Sequence, residues 1–472
     1  VRIGAVVTLR LLRSDELQRF LLDEDEYIVA EAARAINDDL SVESLLPQLG
    51  EILKQKGITR EVIVRRAINA NLRVGSPAAL QTVLDFIGEA RRDKEMRVEG
   101  LRTVSTWIKP SVVDRVDGRY RGVIERDPKP VRALAGPALS RFLQDKQVEI
   151  RMESLKAIAK LEIEDVVGSV VSAMQSDPSD VVRAEALRTL ASLDREAAAA
   201  SVKEVLSGGS PAVKMAALEL IGKIEIDPEL VKPELNAILI QGTSEEKQSA
   251  IGALGRLEQG IVDEQIVLLL DQLIAGQIEG SLQLDLLEVA ASSTNTGIKQ
   301  KIEEFRSLHA AKGVIADYLE CLEGGDPRKG QNVLVRNSAA QCLKCHAIRG
   351  YGGVAGPPLD GIGGRLDRAF ILESLVDPSA HLAAGYGVVT VILNDDKVIS
   401  GILESEDARG LIIKDSSGES VEVQFSEIKE RINAASSMPP MGPILSKREI
   451  RDLIAFLTTI KPAEVNEGEG AL

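Results

Sequence analysis

The strongest constraint on the fold is a basic residue that returns every 31 to 33 positions within an otherwise helical pattern. Arg151, Arg183, Lys214 and Lys247 stand 32, 31 and 33 apart, and Arg66 and Arg97 repeat the 31-residue step upstream. Each copy has a short turn of Asp, Gly, Ser or Pro, then Val or Ile with the cation, then an Ala/Leu-rich run. Asp177-Pro178-Ser179-Asp180-Val181-Val182-Arg183 and Gly209-Ser210-Pro211-Ala212-Val213-Lys214 are the clearest, and Gln147-Val148-Glu149-Ile150-Arg151 is looser. Such a period fits a helix-turn-helix unit that cannot bury its own apolar face and must stack on its neighbours. The alanines let helices approach closely. The recurrent cation is expected to bond the carboxylate or carbonyls of the preceding turn, tying adjacent units together.

These copies resemble short bacterial HEAT repeats from about Val1 to His309, which implies an α-solenoid, expected over residues 1–323. One stretch, 110–137, carries Pro110, Gly118, Pro128, Pro130 and Pro137 and reads as an irregular insertion between units. Composition agrees: aromatics are only 3% of the chain, which favours stacked helices over a large β-sandwich. A length of 472 residues implies two or three domains. The net charge of −15 argues against nucleic acid or anionic membrane as partners and is compatible with a basic redox partner. No run of 18 apolar residues occurs, so no transmembrane segment is expected.

Chemistry concentrates at Cys342-Leu343-Lys344-Cys345-His346. Two thiols spaced by two residues and followed at once by histidine form the covalent attachment pattern of a c-type haem. The thiols add across the two vinyl groups, and the turn between them sets His346 under the iron. Met438, followed by Pro439 and 92 positions beyond His346, offers a thioether for the opposite axial position. His/Met ligation makes a low-spin iron that exchanges electrons with little rearrangement, at a relatively high potential. A bare CxxC also occurs in zinc half-sites and redox dithiols. Zinc needs two more ligands, and Cys321, His309 and His381 show no companion spacing; a thioredoxin-like site needs a βαβ context, which is absent. With three cysteines there is no disulfide scaffold, and Cys321 reads as a small buried residue. For the sixth ligand Met438 is expected, with Met441 and His381 as the alternatives. The plain alternatives are packing for Met441, a solvent-facing loop position for His381 and a surface position for His309.

The flanks extend the motif. Gly325-Asp326-Pro327-Arg328-Lys329-Gly330, then Gly356-Pro357-Pro358-Leu359-Asp360-Gly361-Ile362-Gly363-Gly364-Arg365, then Leu453-Ile454-Ala455-Phe456-Leu457 resemble class I cytochrome c, in the order that family uses. The resemblance implies that Gly330 and Leu334 cross Leu453 and Phe456. It implies that Pro357 presents its carbonyl to the ring N–H of His346, that Leu359 packs on the porphyrin, and that Arg365 sits near a haem propionate. Tyr351 is expected near the haem edge. The 15-residue spacing from Met438 to Leu453 also resembles that family's.

Between Tyr386 and about Arg431 the apolar period changes to two. Val388–Leu393, Val398–Leu403, Leu411–Ile413 and Val421–Phe425 read as four short strands of a small antiparallel β insertion. Helix returns at Leu445–Ile460, with Ser446 as N-cap and Glu449 completing a capping box. The polar tail, 463–472, reads as disordered.

Gly361-Ile362-Gly363, Leu372-Glu373-Ser374-Leu375-Val376-Asp377-Pro378-Ser379 and Ser436-Ser437-Met438-Pro439, with the β insertion, resemble a narrower family: the PVC-type haem-binding CxxCH proteins. In that family a sugar-dehydrogenase-like propeller precedes HEAT-like repeats and a terminal cytochrome c domain. The chain lacks the propeller and has Pro358 where an Asp is common. The expected fold is mainly α: a HEAT-like α-solenoid, then an all-α class I cytochrome c domain over 324–462, interrupted by β structure at about 386–431. The expected function is electron transfer through one covalent haem c, with a redox protein or an upstream dehydrogenase module as partner. The alternatives are a haem-based ligand sensor, a docking adaptor whose haem is structural, or the electron-accepting part of a dehydrogenase whose catalytic domain is missing. Covalent haem attachment normally occurs outside the cytoplasm, and the chain opens within a helical pattern without initiator Met or signal peptide. It is therefore expected to be the C-terminal portion of a longer exported chain. The oligomeric state is left open.

Overall fold

The computed structural model describes residues 1–38, 42–258 and 260–462, so the tail expected to be disordered lies outside the described residues. The chain divides into two compact units, Val1–Ala237 and Ile238–Leu472. Among the described residues no helix is long and apolar enough to cross a membrane.

The first unit is a succession of helices, including Val148–Leu161, Val167–Ser176, Asp180–Leu193, Arg195–Gly208 and Pro211–Leu220. In the first of these, Ile150, Leu155, Ile158 and Leu161 are buried, the helical recurrence of an apolar stripe. Each such side chain contributes about 1.5–3 kcal/mol when buried. Short polar turns divide the helices. Asp194 closes one helix and caps the next, its carboxylate accepting from Ala197 N–H at 2.9 Å.

The recurrent arginines tie adjacent units together as expected, but through the following turn as well as the preceding one. Arg151 donates to the carbonyl of Asp145 in its own preceding turn at 2.8 Å. It also grips Asp177, in the turn of the following unit, through Nε and Nη2 at 2.7 and 2.9 Å. Arg183 repeats the first contact on the Asp177 carbonyl at 3.3 Å, and Arg97 repeats the second on Asp145. Asp145 and Asp177 thus each take one arginine on the carboxylate and the next on the carbonyl. Burial would raise the Asp145 carboxyl, but the Arg97 and Gln147 hydrogen bonds and the charges of Arg97 and Arg151 hold it below its ordinary value. One period after Asp177 stands Gly209, which offers no carboxylate.

The irregular stretch is shorter than expected. Helix Pro128–Phe142 begins inside it: Pro128 and Pro130 fall in the first turn, where an N–H has no helical partner, and Pro137 lies within the helix. The non-helical part ends at Asp127 and is tightly built. Buried Asp114 accepts from Asn69 Nδ2 at 2.9 Å and Arg121 Nε at 3.0 Å, and Arg126 donates to the Trp107 and Leu72 carbonyls.

In the second unit, helices Ser244–Leu254, Asp263–Ile274, Gly280–Ala291 and Thr296–His309 lead into a segment of 3-10 turns, Ala310–Cys321, broken at Gly313. Helices Pro327–Arg336, Arg368–Val376 and Lys447–Leu457 follow. Leu284 and Cys321 share one core with Val333, Leu334, Leu372, Leu453 and Ile454. Buried Asp285 accepts from Arg451 at 2.6 Å and Arg448 at 2.8 Å, and Glu320 from Lys447 at 2.6 Å. Cys321 is fully buried, and burial pushes its thiol up to about 12, as an inert packing residue requires.

The C-terminal region is not all helical. A two-residue ladder pairs β1 (Ala347–Ile348) with β2 (Tyr351–Gly352). Five strands then form one antiparallel sheet: β3 (Val388–Leu393), β4 (Val398–Glu406), β5 (Gly410–Asp415), β6 (Ser420–Gln424) and β7 (Ile428–Asn433), in the order β6-β5-β4-β3-β7. Four strands were expected; the fifth is the edge strand β7. Val389, Val391, Ile399, Leu403, Leu411, Ile413 and Val423 form the sheet's own core. Ala434 N–H donates to Val388 O at 2.9 Å, so the chain enters and leaves the sheet at neighbouring points.

Candidate functional site

The Pro327 helix delivers the motif. It starts at Asp326, whose carboxylate accepts from Arg328 and Lys329 N–H, and stops at Asn337, whose side chain accepts from Ala339 and Ala340 N–H. Gly330 lies against the Lys447 helix: a Cβ there would meet the Asp452 carbonyl and stand 2.8 Å from Phe456 Cβ. Only a missing side chain permits that approach. The Lys447 helix carries the expected cap, with Ser446 and Glu449 reciprocally bonded.

Cys342–Lys344 form one 3-10 turn, and His346 N–H returns to Cys342 O at 2.9 Å. Both thiols and the imidazole therefore sit on a single compact turn. The following loop wraps it, with Gly353 N–H on Leu343 O at 2.9 Å, Gly356 N–H on Cys345 O at 2.8 Å and Leu359 N–H on Ala347 O at 2.8 Å. A Cβ on Gly356 would lie 2.7 Å from His346 Cε1, so glycine is required for the chain to pass beside the ring.

His346 Nδ1 lies 2.8 Å from Pro357 O. A carbonyl only accepts, so Nδ1 carries a proton, and in the neutral ring Nε2 keeps its lone pair. The ring is thereby oriented with Nε2 as the nitrogen free to bind a metal, the arrangement that carbonyl partners give metal-binding histidines. Leu359 is buried in the core that Cys342, Leu343, Ile348, Ile362 and Met438 flank half-buried. Arg365 is exposed and donates to the Pro358 and Asp360 carbonyls, both at 3.2 Å, pinning the loop that carries Pro357. Tyr351 is exposed.

The three candidates for the opposite ligand differ in placement. Met441 is buried and its N–H donates to Leu375 O at 2.7 Å, the position of a packing residue. His381 is exposed, stacked on Phe370 at 4.8 Å, and its Nε2 pairs with Glu373 at 3.1 Å. Met438 remains half-buried at the margin of the core that takes in Cys342 and Leu359. His309 packs edge-on against Phe305.

Neither other use of a CxxC fits this surrounding. Among the described residues no group of three or more His, Cys, Asp or Glu could hold a metal ion by itself. Burial raises the Cys342 thiol, whereas a redox dithiol needs a lowered one. Two thiols on one turn, an oriented imidazole, a glycine beside its ring and an incompletely covered apolar margin do fit a covalently held haem.

Reading the sequence singled out Pro357 but not Gly353 and Gly356, which let the loop close; the run of four glycines from Gly350 to Gly356 was the available signal.

No curated protein matches the chain. Among solved structures, the CpcE–CpcF complex of phycocyanin lyase from Nostoc sp. aligns at 15% identity over 56% of this chain and 93% of that one, with a TM-score of 0.27. An engineered protein aligns at 18% identity over 70% and 87%, with a TM-score of 0.31. Human deoxyhypusine hydroxylase aligns at 14% identity over 64% and 97%, with a TM-score of 0.23. Superpositions this loose carry no functional argument. The family model that matches is that of HEAT repeats, over residues 169–255, and the helical part of the chain has that solenoid character.

Proposed function

We propose that this chain is an exported electron carrier, holding one covalent haem c through Cys342 and Cys345, with His346 and Met438 as axial ligands. The observation that carries the reading is the His346–Pro357 hydrogen bond beside the two thiols, since it leaves Nε2 as the lone-pair nitrogen. Bound there, the haem would supply a one-electron couple in a class I cytochrome c domain. The chain's own residues do the rest. Pro357 fixes the imidazole tautomer, Arg365 holds the Pro357 loop, and Leu359 with Leu343 and Ile348 provides apolar surroundings that keep water away. The HEAT-like helices act as scaffold and docking surface. The donor or acceptor is another redox protein or a dehydrogenase module.

Local charge narrows the partner. Around the motif stand Arg328, Lys329, Arg336, Lys344, Arg349 and Arg365, all exposed, against Asp326 and Asp360 alone between residues 326 and 366. A segment this cationic favours an acidic partner, because at physiological salt charges beyond about 8 Å are screened. That reverses the basic partner suggested by the charge of the whole chain.

The test is export of the chain in a host that attaches haem. One haem per chain, retained after denaturation and lost in Cys342→Ser and Cys345→Ser, is expected. The reduced protein should give a low-spin spectrum that carbon monoxide alters only slowly. Wild-type chain recovered folded but without covalent haem would overturn the proposal.

A further inference from the structure

The loop carrying Met438 is held at three places. At its start Asn433 Nδ2 donates to the Ser379 and Ala380 carbonyls at 3.2 and 2.9 Å, and Ser436 N–H to Ser379 Oγ at 3.0 Å. Midway, Met441 N–H is fixed on Leu375 O. The third hold comes from the segment that ends the helical array. Tyr318, in Ala310–Cys321, lies so close to Gly442 that a Cβ there would overlap its hydroxyl and stand 2.7 Å from its Cζ.

Tyr318 is itself well held. Lys447 Nζ sits 5.4 Å from its ring centroid and pairs with buried Glu320. Just beyond the segment, Leu322 O accepts from Arg368 at 2.7 Å. Tyr318 is half-buried: it packs against the core on one side and leaves its hydroxyl end toward the loop. Its ring edge and hydroxyl meet the backbone four residues beyond Met438, with Pro439, Pro440 and Met441 between.

We propose that Tyr318 is a positioning residue for the Met438 loop, so that the last segment of the helical array sets how firmly the methionine stays at the iron. This rests on the haem reading above. On this proposal the loop exchanges between a closed state, in which Tyr318 contacts it, and an open one, and removing Tyr318 shifts the population toward open. An open loop exposes the sixth position to outside ligands and lowers the potential, because the thioether favours the reduced iron.

The experiment uses the full haem-bearing chain with Tyr318→Ala, Tyr318→Phe and Met438→Ala. It reads carbon monoxide binding to the reduced form, the methionine–iron charge-transfer band of the oxidised form, and the potential. Tyr318→Ala is expected to bind carbon monoxide about tenfold faster than wild type and to weaken the band. Tyr318→Phe, which keeps the ring edge, restores both, and Met438→Ala marks the fully open limit. A wild-type rate and band in Tyr318→Ala, with both altered in Met438→Ala, would overturn the proposal. If Met438→Ala alters neither, the ligand assignment fails instead, and the clamp is then judged on haem-free chain. There protease cleavage between Ala434 and Pro443 should be about tenfold faster in Tyr318→Ala, and equal cleavage overturns the clamp. Should Tyr318→Ala not accumulate, Gly442→Ala presses the same contact apart and is read in the same way.

Discussion

Gly330→Ala tests whether the helix crossing carries the site. The new Cβ would stand 2.5 Å from the carbonyl carbon of Asp452 and 2.8 Å from Phe456 Cβ. Ordinary carbon contacts lie at about 3.5–4.0 Å, so the helices must part by about 1 Å. They are joined elsewhere: Asp326 N–H donates to Asp452 Oδ1 at 2.8 Å, and Asn337 Nδ2 to Glu449 Oε1 at 2.9 Å. Separation therefore strains the whole crossing. Overpacking costs about 1–3 kcal/mol, and contact with backbone puts this site at the upper end. Alanine returns about 1 kcal/mol through helix propensity. The net loss is about 2 kcal/mol, or roughly 4–8 °C in Tm for a unit of this size. Thermal unfolding followed by circular dichroism measures it. Gly252→Ala is the control, since its Cβ meets nothing nearer than an Arg256 side-chain nitrogen at 3.5 Å. A Gly330→Ala transition within about 1 °C of wild type would refute the reasoning, because no crossing that tight absorbs a methyl group without cost.

Three further outcomes are expected. Arg151→Met leaves the Asp177 carboxylate buried without its partner and should cost about 3–5 kcal/mol in urea unfolding; adding Asp177→Asn should recover part, and strictly additive losses would show the pair uncoupled. Asp145 has a folded pKa below its unfolded one, so its stabilisation is complete above the unfolded value and is lost as pH falls through the folded value. Asp145→Asn should accordingly flatten the acid side of the stability profile, and an unchanged profile refutes the assignment. Deleting 389–432, which keeps Asn433 and its hold on the Met438 loop, should leave the helices folded, because the chain enters and leaves the sheet at neighbouring points, and should raise electron exchange with small acceptors if the sheet restricts one approach to the haem edge; an unchanged rate makes it a remote docking patch.

The features legible in the sequence were those with a strong local signal. The alanine- and leucine-rich repeats, the capping box at Ser446 and four strands with period-two burial all follow from patterns a few residues long. β7 was missed because Ile428-Lys429-Glu430-Arg431-Ile432-Asn433 carries two apolar residues among charges. That is the composition an edge strand needs to resist pairing with other chains, and it hides the strand from a hydrophobic reading. Pro128, Pro130 and Pro137 misled in the opposite direction. A proline in a helix's first turn costs almost nothing, so a cluster of them marks a helix start as readily as a break. The ladder from Arg97 through Asp145, Arg151 and Asp177 was half visible, because the sequence shows the period but not which neighbour the cation reaches.

At the candidate site, residue identities were legible and the charge argument was not. Cys342, Cys345 and His346 announce themselves by spacing, because one turn must present all three. The net charge of −15 is a sum over 472 residues, and a docking face responds only to charges within a screening length. The sheet from Val388 to Asn433 holds ten Asp or Glu against five Lys or Arg, whereas the segment around the thiols is cationic. Opposite charge on two parts of one unit orients an approaching partner before contact, and whole-chain charge conceals that. Electron exchange with an acidic partner should therefore slow as salt rises although the chain is strongly acidic. A rate that rises with salt would mean that the sheet, and not the surface near His346, governs the encounter.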